Sequence, residues 1–452
     1  MIHYLKIRNF GPVKDEAEIN FEVAENIAED AYEVLMLDGR KLLKLAYIYG
    51  ANASGKTTIL KAIEFLRSIL LRPAENKASQ LNFDPFLFCD GAYDIPSYFE
   101  LSFYMAGLRY IYTINFNKQS ILNEKLVFYQ SIKPTELFTR ETDIEKRLSK
   151  IQFGSKIKIP ARERDLIESN TLHNNTVFGA YARTNVDIPE LEDLNKWFSM
   201  YLLGMVTSAH NLTEVTATLI DKNPKINDWI NDFLNKADNQ ITQVMVPEWN
   251  DQIGMPLDDA YHFELKNRII PQGSVAITTT IKGVGAAMLQ AAPQQRYYGG
   301  PSERRIDFMH HVGDGKNYPL SIQKESSGTK RYFGLGGPLY ELIHGSHLLC
   351  IDELETSLHP DLMKHFLQVF LMNAESSQML ITTHNLSLME DQDFIRRDAL
   401  WFSEKGTDGS VSLFSAADFD TTTLRKDASL INAYKTGRLG AKPNLGSPYL
   451  TE

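Results

Sequence analysis

Apolar and polar residues alternate through much of the first 130 positions, which is the pattern of half-buried β-strands. The runs YLKIRNF, AEINFEV and LAYIY, all within residues 1–49, have this character and are separated by polar loops. The alternation returns between residues 97 and 129, with a turn at Ala106–Gly107, and there it predicts an antiparallel meander. We therefore expect the N-terminal part of the chain to be rich in strands.

Helical spacing begins directly after LAYIY. Ile59, Ile63, Leu66 and Leu70 fall at i, i+4, i+7 and i+11, which predicts a helix that starts near Gly55. A strand, a short loop and a helix thus follow one another, which is the local order of an α/β fold.

The middle of the chain, residues 131–270, is less regular. Two stretches, LEDLNKWFSMYLL and INDWINDFLNKA, predict amphipathic helices, but no heptad repeat is sustained, so we expect a mainly helical insertion and no coiled-coil arm. The aromatic side chains of these helices either pack in a core or face a partner protein: Trp197, Phe198, Tyr201 and Trp229.

The loop between the predicted strand and helix reads GANASGKT and matches the phosphate-loop pattern G-x-x-x-x-G-K-S/T. Amides at the start of the helix would hold phosphate, Lys56 would reach the β- and γ-phosphates, and the Thr57 hydroxyl would bind Mg²⁺. The alternative is a glycine-serine turn in which the lysine occurs by chance. Such a turn would not require a strand before it and a helix after it. The residues expected to contact the nucleotide are Gly50, Asn52, Ala53, Ser54, Gly55, Lys56, Thr57 and Thr58.

A second chemical motif lies in HLLCIDELETSLHP. Four apolar residues, 348–351, predict a buried strand, and two adjacent carboxylates end it. Asp352 would hold Mg²⁺, and Glu353 would orient and deprotonate the water that attacks the γ-phosphate. The alternative is an acidic helix cap without catalytic function.

Two weaker signals flank this motif. The predicted strand in SSQMLITTHN ends in His384, which either contacts the γ-phosphate or is a structural histidine. Ser326, Ser327 and Gly328, in KESSGTKRYFGL, precede a helical stretch and form either an anion site or an ordinary helix cap.

Composition narrows the class of protein. The 452 residues are 43% hydrophobic and 23% charged, and no apolar run approaches the roughly 18 residues that cross a bilayer. The N-terminus lacks a signal-peptide pattern, so we expect a cytoplasmic protein without membrane contact. The net charge of −10 argues against a surface that binds nucleic acid throughout, although a local basic patch could still do so.

The order of these motifs resembles that of the ABC-type ATPase superfamily. LKIRNFGPV is similar to the start of the SMC, RecF and OLD branch, and ESSGTKR and AYKTGRLGAKPN resemble the stand-alone bacterial ATPases of the RloA and AbiL type. The likeness covers about residues 1–130 and 300–445. The signature differs from the usual LSGGQ, with Ser327 in place of a glycine, and the glutamine that should follow the phosphate loop has no assigned position.

The resemblance implies an α/β fold: an ABC-ATPase head with a parallel-sheet core that carries the phosphate loop, an antiparallel β subdomain and a mainly helical insertion. The implied divisions are 1–130 for the first half of the head, 131–270 for the insertion and 271–452 for the second half. ATP and Mg²⁺ would bind between two copies, in a homodimer or a larger even-numbered oligomer. Ser326–Gly328 would reach the nucleotide of the second copy, and Asn9 with Phe10 would lie near the base or ribose.

For function, the resemblance implies an ATPase subunit of a bacterial anti-phage system that controls a separate effector, a nuclease or toxin encoded in the same operon. A DNA-repair or chromosome-associated ATPase of the RecF or SMC kind is the main alternative. A transporter subunit is a third class, but the long interval between Lys56 and Ser326 exceeds what that compact class has.

Overall fold

The computed structural model describes residues 1–24, 32–37, 39–238, 240–246, 306–313, 315–391, 394–419 and 429–442. The described strands are β1 (Ile2–Arg8), β2 (Ala17–Asn20), β3 (Val34–Leu37), β4 (Arg40–Leu43), β5 (Leu45–Tyr49), β6 (Ser97–Met105), β7 (Leu108–Phe116), β8 (Ile121–Tyr129), β9 (Pro134–Asp143), β10 (Leu148–Phe153), β11 (Ile241–Met245), β12 (Asp307–His311), β13 (Asn317–Ser321), β14 (Leu348–Ile351), β15 (Gln378–Thr382), β16 (Leu400–Lys405) and β17 (Val411–Ser415). The described helices are α1 (Lys56–Leu71), α2 (Ala161–Asn170), α3 (Val177–Tyr181), α4 (Pro189–Tyr201), α5 (Leu212–Lys222), α6 (Pro224–Ala237), α7 (Ser327–His344), α8 (Pro360–Asn373) and α9 (Leu430–Lys435).

A five-stranded sheet carries the predicted motifs. Its order is β14-β15-β5-β16-β17, in which the first four strands are parallel and β17 pairs antiparallel with β16. Strands β5, β14 and β15 are buried at every position, which explains their continuous apolar sequence. Because parallel strands end at the same edge, the loops after these three strands meet there. The predicted parallel-sheet core and the α/β fold class are confirmed.

A second sheet is antiparallel and has seven strands in the order β10-β9-β8-β7-β6-β1-β2. The predicted meander forms its centre, since β6 and β7 meet at Ala106–Gly107, where both residues have positive φ. A two-residue turn with positive φ at both positions matches the twist of antiparallel strands and connects them directly. This sheet is the predicted antiparallel subdomain.

Strands β9 and β10 correct the prediction for residues 131–153, which we expected to be irregular and part of a mainly helical insertion. They extend the antiparallel sheet from β8 outward. The alternation of apolar and polar residues that would predict a strand is interrupted in β9, because an inward-facing position holds an arginine. Arg140 is 1% exposed and donates from Nη2 to the Ser149 hydroxyl and to the carbonyls of Leu172 and His173, so a charged residue occupies a core position.

The chain divides into two compact units, which we describe separately. The first contains Met1–Ser208 and Glu341–Glu452, and the second contains Ala209–Tyr340. Helix α4 therefore belongs to the first unit and α6 to the second, although the sequence suggested one insertion for both. The predicted divisions at 131 and 271 stay predictions, and residue 271 lies outside the described residues.

The aromatic residues of α4 pack in or against the core of the first unit. Phe198 is fully buried against Phe178, and Trp197 stacks on Phe103 with ring centroids 4.3 Å apart. Tyr201 is 2% exposed and donates its hydroxyl to Gln378 of β15 at 2.7 Å. Of the two interpretations left open for these three residues, core packing is therefore the one that the structure supports.

The second unit contains α5, α6, the sheet β11-β12-β13 and the part of α7 up to Tyr340. Pro338 lies inside α7 and has no N–H for the carbonyl of Gly334, four residues earlier. The Thr216 hydroxyl of α5 donates to that carbonyl at 2.8 Å and accepts from Gly337 N at 3.1 Å. A neighbouring helix thus compensates for the proline. None of the described helices is long and apolar enough to cross a bilayer.

Candidate nucleotide site

The loop Gly50–Gly55 connects β5 to α1 and needs glycine at both ends. A Cβ on Gly50 would lie 2.4 Å from the Ser403 carbonyl oxygen and 2.4 Å from Ser54 Oγ. Gly55 has φ +94°, and a Cβ there would lie 2.8 Å from Val411 Cγ2. Larger residues would push the loop away from β16 and β17. The glycines of the motif therefore allow the close approach to these strands as well as the backbone conformation of the loop.

Within this loop, Asn52 and Ala53 are exposed, whereas Lys56 is only 6% exposed. Lys56 Nζ donates to the carbonyls of Gly50 at 3.0 Å and Ala51 at 2.9 Å. Burial lowers the pKa of Lys56, and three nearby carboxylates, on Asp352, Glu353 and Glu355, act against that shift. The lysine is therefore held at the loop with acidic groups close by.

Thr57, the first-turn threonine of α1, contacts the end of β14. Its hydroxyl donates to the Asp352 carboxylate, and Thr57 Oγ1 lies 3.0 Å from Oδ1 and 3.1 Å from Oδ2. These two residues are 295 positions apart, and the β5-β15-β14 order of the sheet brings them together. The predicted pair of metal ligands therefore lies at one point of the sheet edge.

Thr382, the last residue of β15, joins the two acidic residues. Its hydroxyl donates to Asp352 Oδ1 at 2.6 Å and accepts from the backbone N–H of Glu353 at 2.8 Å. The Leu354 N–H donates to the Thr382 carbonyl at 3.2 Å. Glu353 has φ +49°, a left-handed conformation that is costly for a residue with a Cβ, and these bonds on either side fix it. The Glu353 side chain is exposed.

His384 follows β15 and faces the same charges. Its backbone N–H donates to Glu355 Oε1 at 2.5 Å. Although much of the residue is exposed, desolvation of the ring lowers the pKa of His384, and the Lys56 ammonium adds to this effect. The carboxylates of Glu355, Glu353 and Asp352 oppose it. Lys56, the acidic residues and His384 are therefore within electrostatic reach of one another.

The residues at this edge fit a Mg²⁺-nucleotide. Thr57 and Asp352 offer hard oxygen ligands, and Mg²⁺ commonly takes only one or two carboxylates from a protein and completes its shell with substrate phosphates and water. In the part of the chain that the structure describes, no group of three or more His, Cys, Asp or Glu side chains is placed to hold a metal ion by itself. Ser54 Oγ, in the phosphate loop, is buried without a hydrogen-bond partner in the described structure.

Asn9 and Phe10 directly follow β1 and have structural contacts. The Phe10 ring is 6% exposed and packs on Phe65 and Phe99, so it belongs to the core. Asn9 is 4% exposed; its amide donates to the Ile95 carbonyl and its oxygen accepts from Phe86 N. A contact of either residue with the base or ribose stays a prediction, and the core position of Phe10 disfavours stacking on a base.

Ser326, Ser327 and Gly328 are in the second unit, at the start of α7. Ser326 Oγ accepts from Thr329 N at 3.0 Å, so Ser326 caps the helix. Ser326 and Ser327 are exposed. A role for these residues at a nucleotide stays a prediction.

Two residues of the site were missed by the sequence interpretation, Thr382 and Glu355. Both lie close to predicted residues: Thr382 is two positions before His384, and Glu355 is two positions after Glu353. A polar residue at the end of an otherwise apolar strand was the available signal for Thr382. For Glu355, a third acidic residue in DELE was the only signal, and acidic loops are common.

Residues 45–390 match a family model described as "AAA domain, putative AbiEii toxin, Type IV TA system". The match spans the phosphate loop, both carboxylates and His384. This chain belongs to that family of AAA domains. It is an AAA ATPase of the ABC type, as the sequence interpretation expected, whereas its narrower assignment to the RloA and AbiL group stays a prediction.

Three solved structures with distant similarity are SMC heads. The SMC head domain from Thermotoga maritima shares 12% identity, with 92% of this chain and 98% of that chain covered and a TM-score of 0.39. An Smc head bound to the C-winged helix domain of ScpA shares 10% identity, with coverage of 92% and 97% and a TM-score of 0.43. The Smc head with an extended coiled coil, bound to the C-terminal domain of ScpA from Pyrococcus furiosus, shares 9% identity, with coverage of 96% and 98% and a TM-score of 0.40. No curated protein matches the chain.

Proposed function

We propose that this protein is the cytoplasmic, Mg²⁺-dependent ATPase subunit of a bacterial anti-phage system and that it controls a separate effector, a nuclease or toxin from the same operon. The observation that carries the ATPase part is the Thr57–Asp352 contact, because it joins the phosphate-loop helix to the carboxylate strand. Membership of a family whose description names a Type IV toxin-antitoxin system supports the defence part.

In this proposal each residue has a separate task. Bound Mg²⁺ would neutralise phosphate charge. Lys56 and the first amides of α1 bind phosphate oxygens, while Thr57 and Asp352 hold the metal ion. Glu353 takes the proton of the attacking water, and its exposed carboxylate is free to reach it. His384 contacts the γ-phosphate and so distinguishes ATP from ADP.

The proposed switch needs two copies of the chain. Ser326–Gly328 of one copy would contact the nucleotide held by the other, so that ATP stabilises the closed dimer and hydrolysis releases it. The effector would be held or released according to that state. The same contact would be made twice in a symmetric dimer, which gives two composite sites.

Glu353→Gln and Lys56→Ala separate binding from hydrolysis. Glu353→Gln keeps the phosphate loop and the metal ligands, so we expect ATP affinity within about threefold of wild type and a kcat lower by about 100-fold or more. Lys56→Ala removes a charge that contacts phosphate and should weaken ATP binding itself. Titration with a fluorescent ATP analogue and a phosphate-release assay measure the two effects. Loss of ATP binding in Glu353→Gln would make Glu353 a structural residue.

A plaque assay tests the defence role. Cells that carry the gene with its operon neighbours should resist a sensitive phage, and Lys56→Ala should abolish this resistance because the switch cannot bind ATP. Ile132→Thr, at a 96% exposed position, is a matched control and should leave resistance unchanged. Full resistance with Lys56→Ala, or none with wild type across a broad phage panel, would contradict the defence proposal while leaving the ATPase assignment intact.

A further inference from the structure

The two carboxylate oxygens of Glu355 differ in their contacts. Oε1 accepts from the His384 backbone N–H at 2.5 Å. Oε2 is buried, and no donor reaches it in the described part of the chain. Buried carboxylate oxygens without a donor are costly, which indicates that the residue is kept for a task at the site.

The backbone after β15 is held from two sides. Glu355 binds it at His384, and the Tyr49 hydroxyl donates to the next carbonyl, that of Asn385, at 3.0 Å. Tyr49 is the last residue of β5, directly before the phosphate loop, and Glu355 is on the loop that carries Glu353. The segment that contains His384 is therefore hydrogen-bonded to the loop that carries Glu353 and to the residue directly before the phosphate loop.

Charge supports the same arrangement. The Glu355 carboxylate acts to raise the pKa of His384 and that of Lys56, so it lies within Coulomb reach of both. It is the largest of the three carboxylate effects on His384. Its unpaired oxygen thus adds negative charge near two groups that are expected to bind phosphate.

We propose that Glu355 is a positioning residue that fixes the His384 backbone to the Glu353 loop, so that the γ-phosphate contact and the water-activating carboxylate keep one relative geometry. The inference rests on the proposed role of His384 in hydrolysis. Glu355 acts through His384 and touches neither the nucleotide nor the attacking water.

We call the hydrogen bond from the His384 N–H to Glu355 the clamp. Hydrogen exchange at the His384 amide measures the clamp without any nucleotide. Glu355→Ala removes the acceptor, and we expect the His384 amide to exchange at least about tenfold faster. Glu355→Gln keeps a carbonyl oxygen in the same place and should restore most of the protection. Glu390→Ala, at an exposed acidic residue of the same segment, is the matched control and should leave exchange at His384 unchanged. Unchanged exchange in Glu355→Ala overturns the proposal.

Kinetics show whether the clamp serves His384. Glu355→Ala should lower kcat about tenfold to 100-fold with little change in ATP affinity, since a small misplacement of a catalytic group has effects of this size. Combined with His384→Ala, it should add no further loss. A further loss in the double variant overturns the positioning role. If His384→Ala alone keeps full kcat, the proposed role of His384 fails, and the exchange result still decides the clamp.

The Gln variant gives an independent readout if the Ala variant does not fold. Loss of the negative charge should lower the pKa of the His384 ring below its wild-type value, as followed by NMR titration. An unchanged ring pKa in Glu355→Gln would show that the Glu355 carboxylate does not lie against His384 in solution, which overturns the proposal.

Discussion

At the scale of single residues, the Thr382 hydroxyl connects two expected functional residues of the candidate site, Asp352 and Glu353. It is fully buried, donates to Asp352 and accepts from the Glu353 N–H. One side chain therefore orients the expected metal ligand and fixes the strained backbone of the expected base. Asp352 in turn receives the Thr57 hydroxyl, so the three loops at the sheet edge share one hydrogen-bond network.

Thr382→Val keeps the shape of the side chain and removes both hydrogen bonds. The Glu353 N–H loses the acceptor of a partly buried hydrogen bond, at a cost of about 1 kcal/mol, and Asp352 loses an orienting donor. We expect kcat to fall about tenfold or more and the Mg²⁺ concentration for half-maximal activity to rise. Thr382→Ser restores the hydroxyl and should recover most of both values. A Val variant with wild-type kcat and Mg²⁺ dependence would show that the network is dispensable.

At the scale of elements, the antiparallel sheet contains a buried ionic cluster next to its added strands. Glu124 of β8 accepts from the Tyr112 hydroxyl at 2.8 Å and from Val177 N of α3 at 2.9 Å, and Arg140 of β9 lies near it. Burial raises the pKa of Glu124 from 4.5 to about 7, although the arginine and both hydrogen bonds oppose the shift. The cluster ties the outer strands and α3 to the meander, but it makes the sheet sensitive to pH.

The sign of that sensitivity follows from the raised pKa of Glu124. A carboxyl whose folded pKa lies above its unfolded value stabilises the fold below about pH 4.5 and loses this contribution as the pH rises through about 7. Between pH 5 and pH 8, the free energy of unfolding should fall on the order of 3 kcal/mol more in wild type than in Glu124→Gln. Urea unfolding at both pH values measures this difference. Glu141→Gln, an exposed position on β9, should behave as wild type; equal pH slopes for wild type and Glu124→Gln would refute the assignment.

The elements differ in how readily their sequences predict them. Strands β14 and β15 and the loop before α1 were predictable because a fully buried parallel strand is continuously apolar and because phosphate binding demands a fixed order of residues. Strands β9 and β10 were missed because Arg140 occupies an inward position. The contacts of Asn9, whose partners are 77 and 86 positions away, depend on tertiary proximity that no local pattern contains.

At the scale of the whole molecule, the family match spans both compact units. The phosphate loop, the carboxylates and His384 are all in the first unit, while Ser326–Gly328 begin α7 in the second. The proposed switch assigns these two sets of residues to one nucleotide but to different copies of the chain. The net charge of −10 favours a protein partner or small ligands over extensive contact with nucleic acid.

A mixing experiment tests the composite site most directly. In a heterodimer of a Lys56→Ala chain with a Ser327→Arg chain, both defects fall in one shared site and the other site is intact. We therefore predict that each variant alone is inactive and that proven heterodimers, isolated with two different affinity tags, regain up to about half of the wild-type ATPase rate, because one of the two sites in a symmetric dimer works. If each chain used its own signature, no intact site could form, and proven heterodimers without ATPase activity would contradict the account.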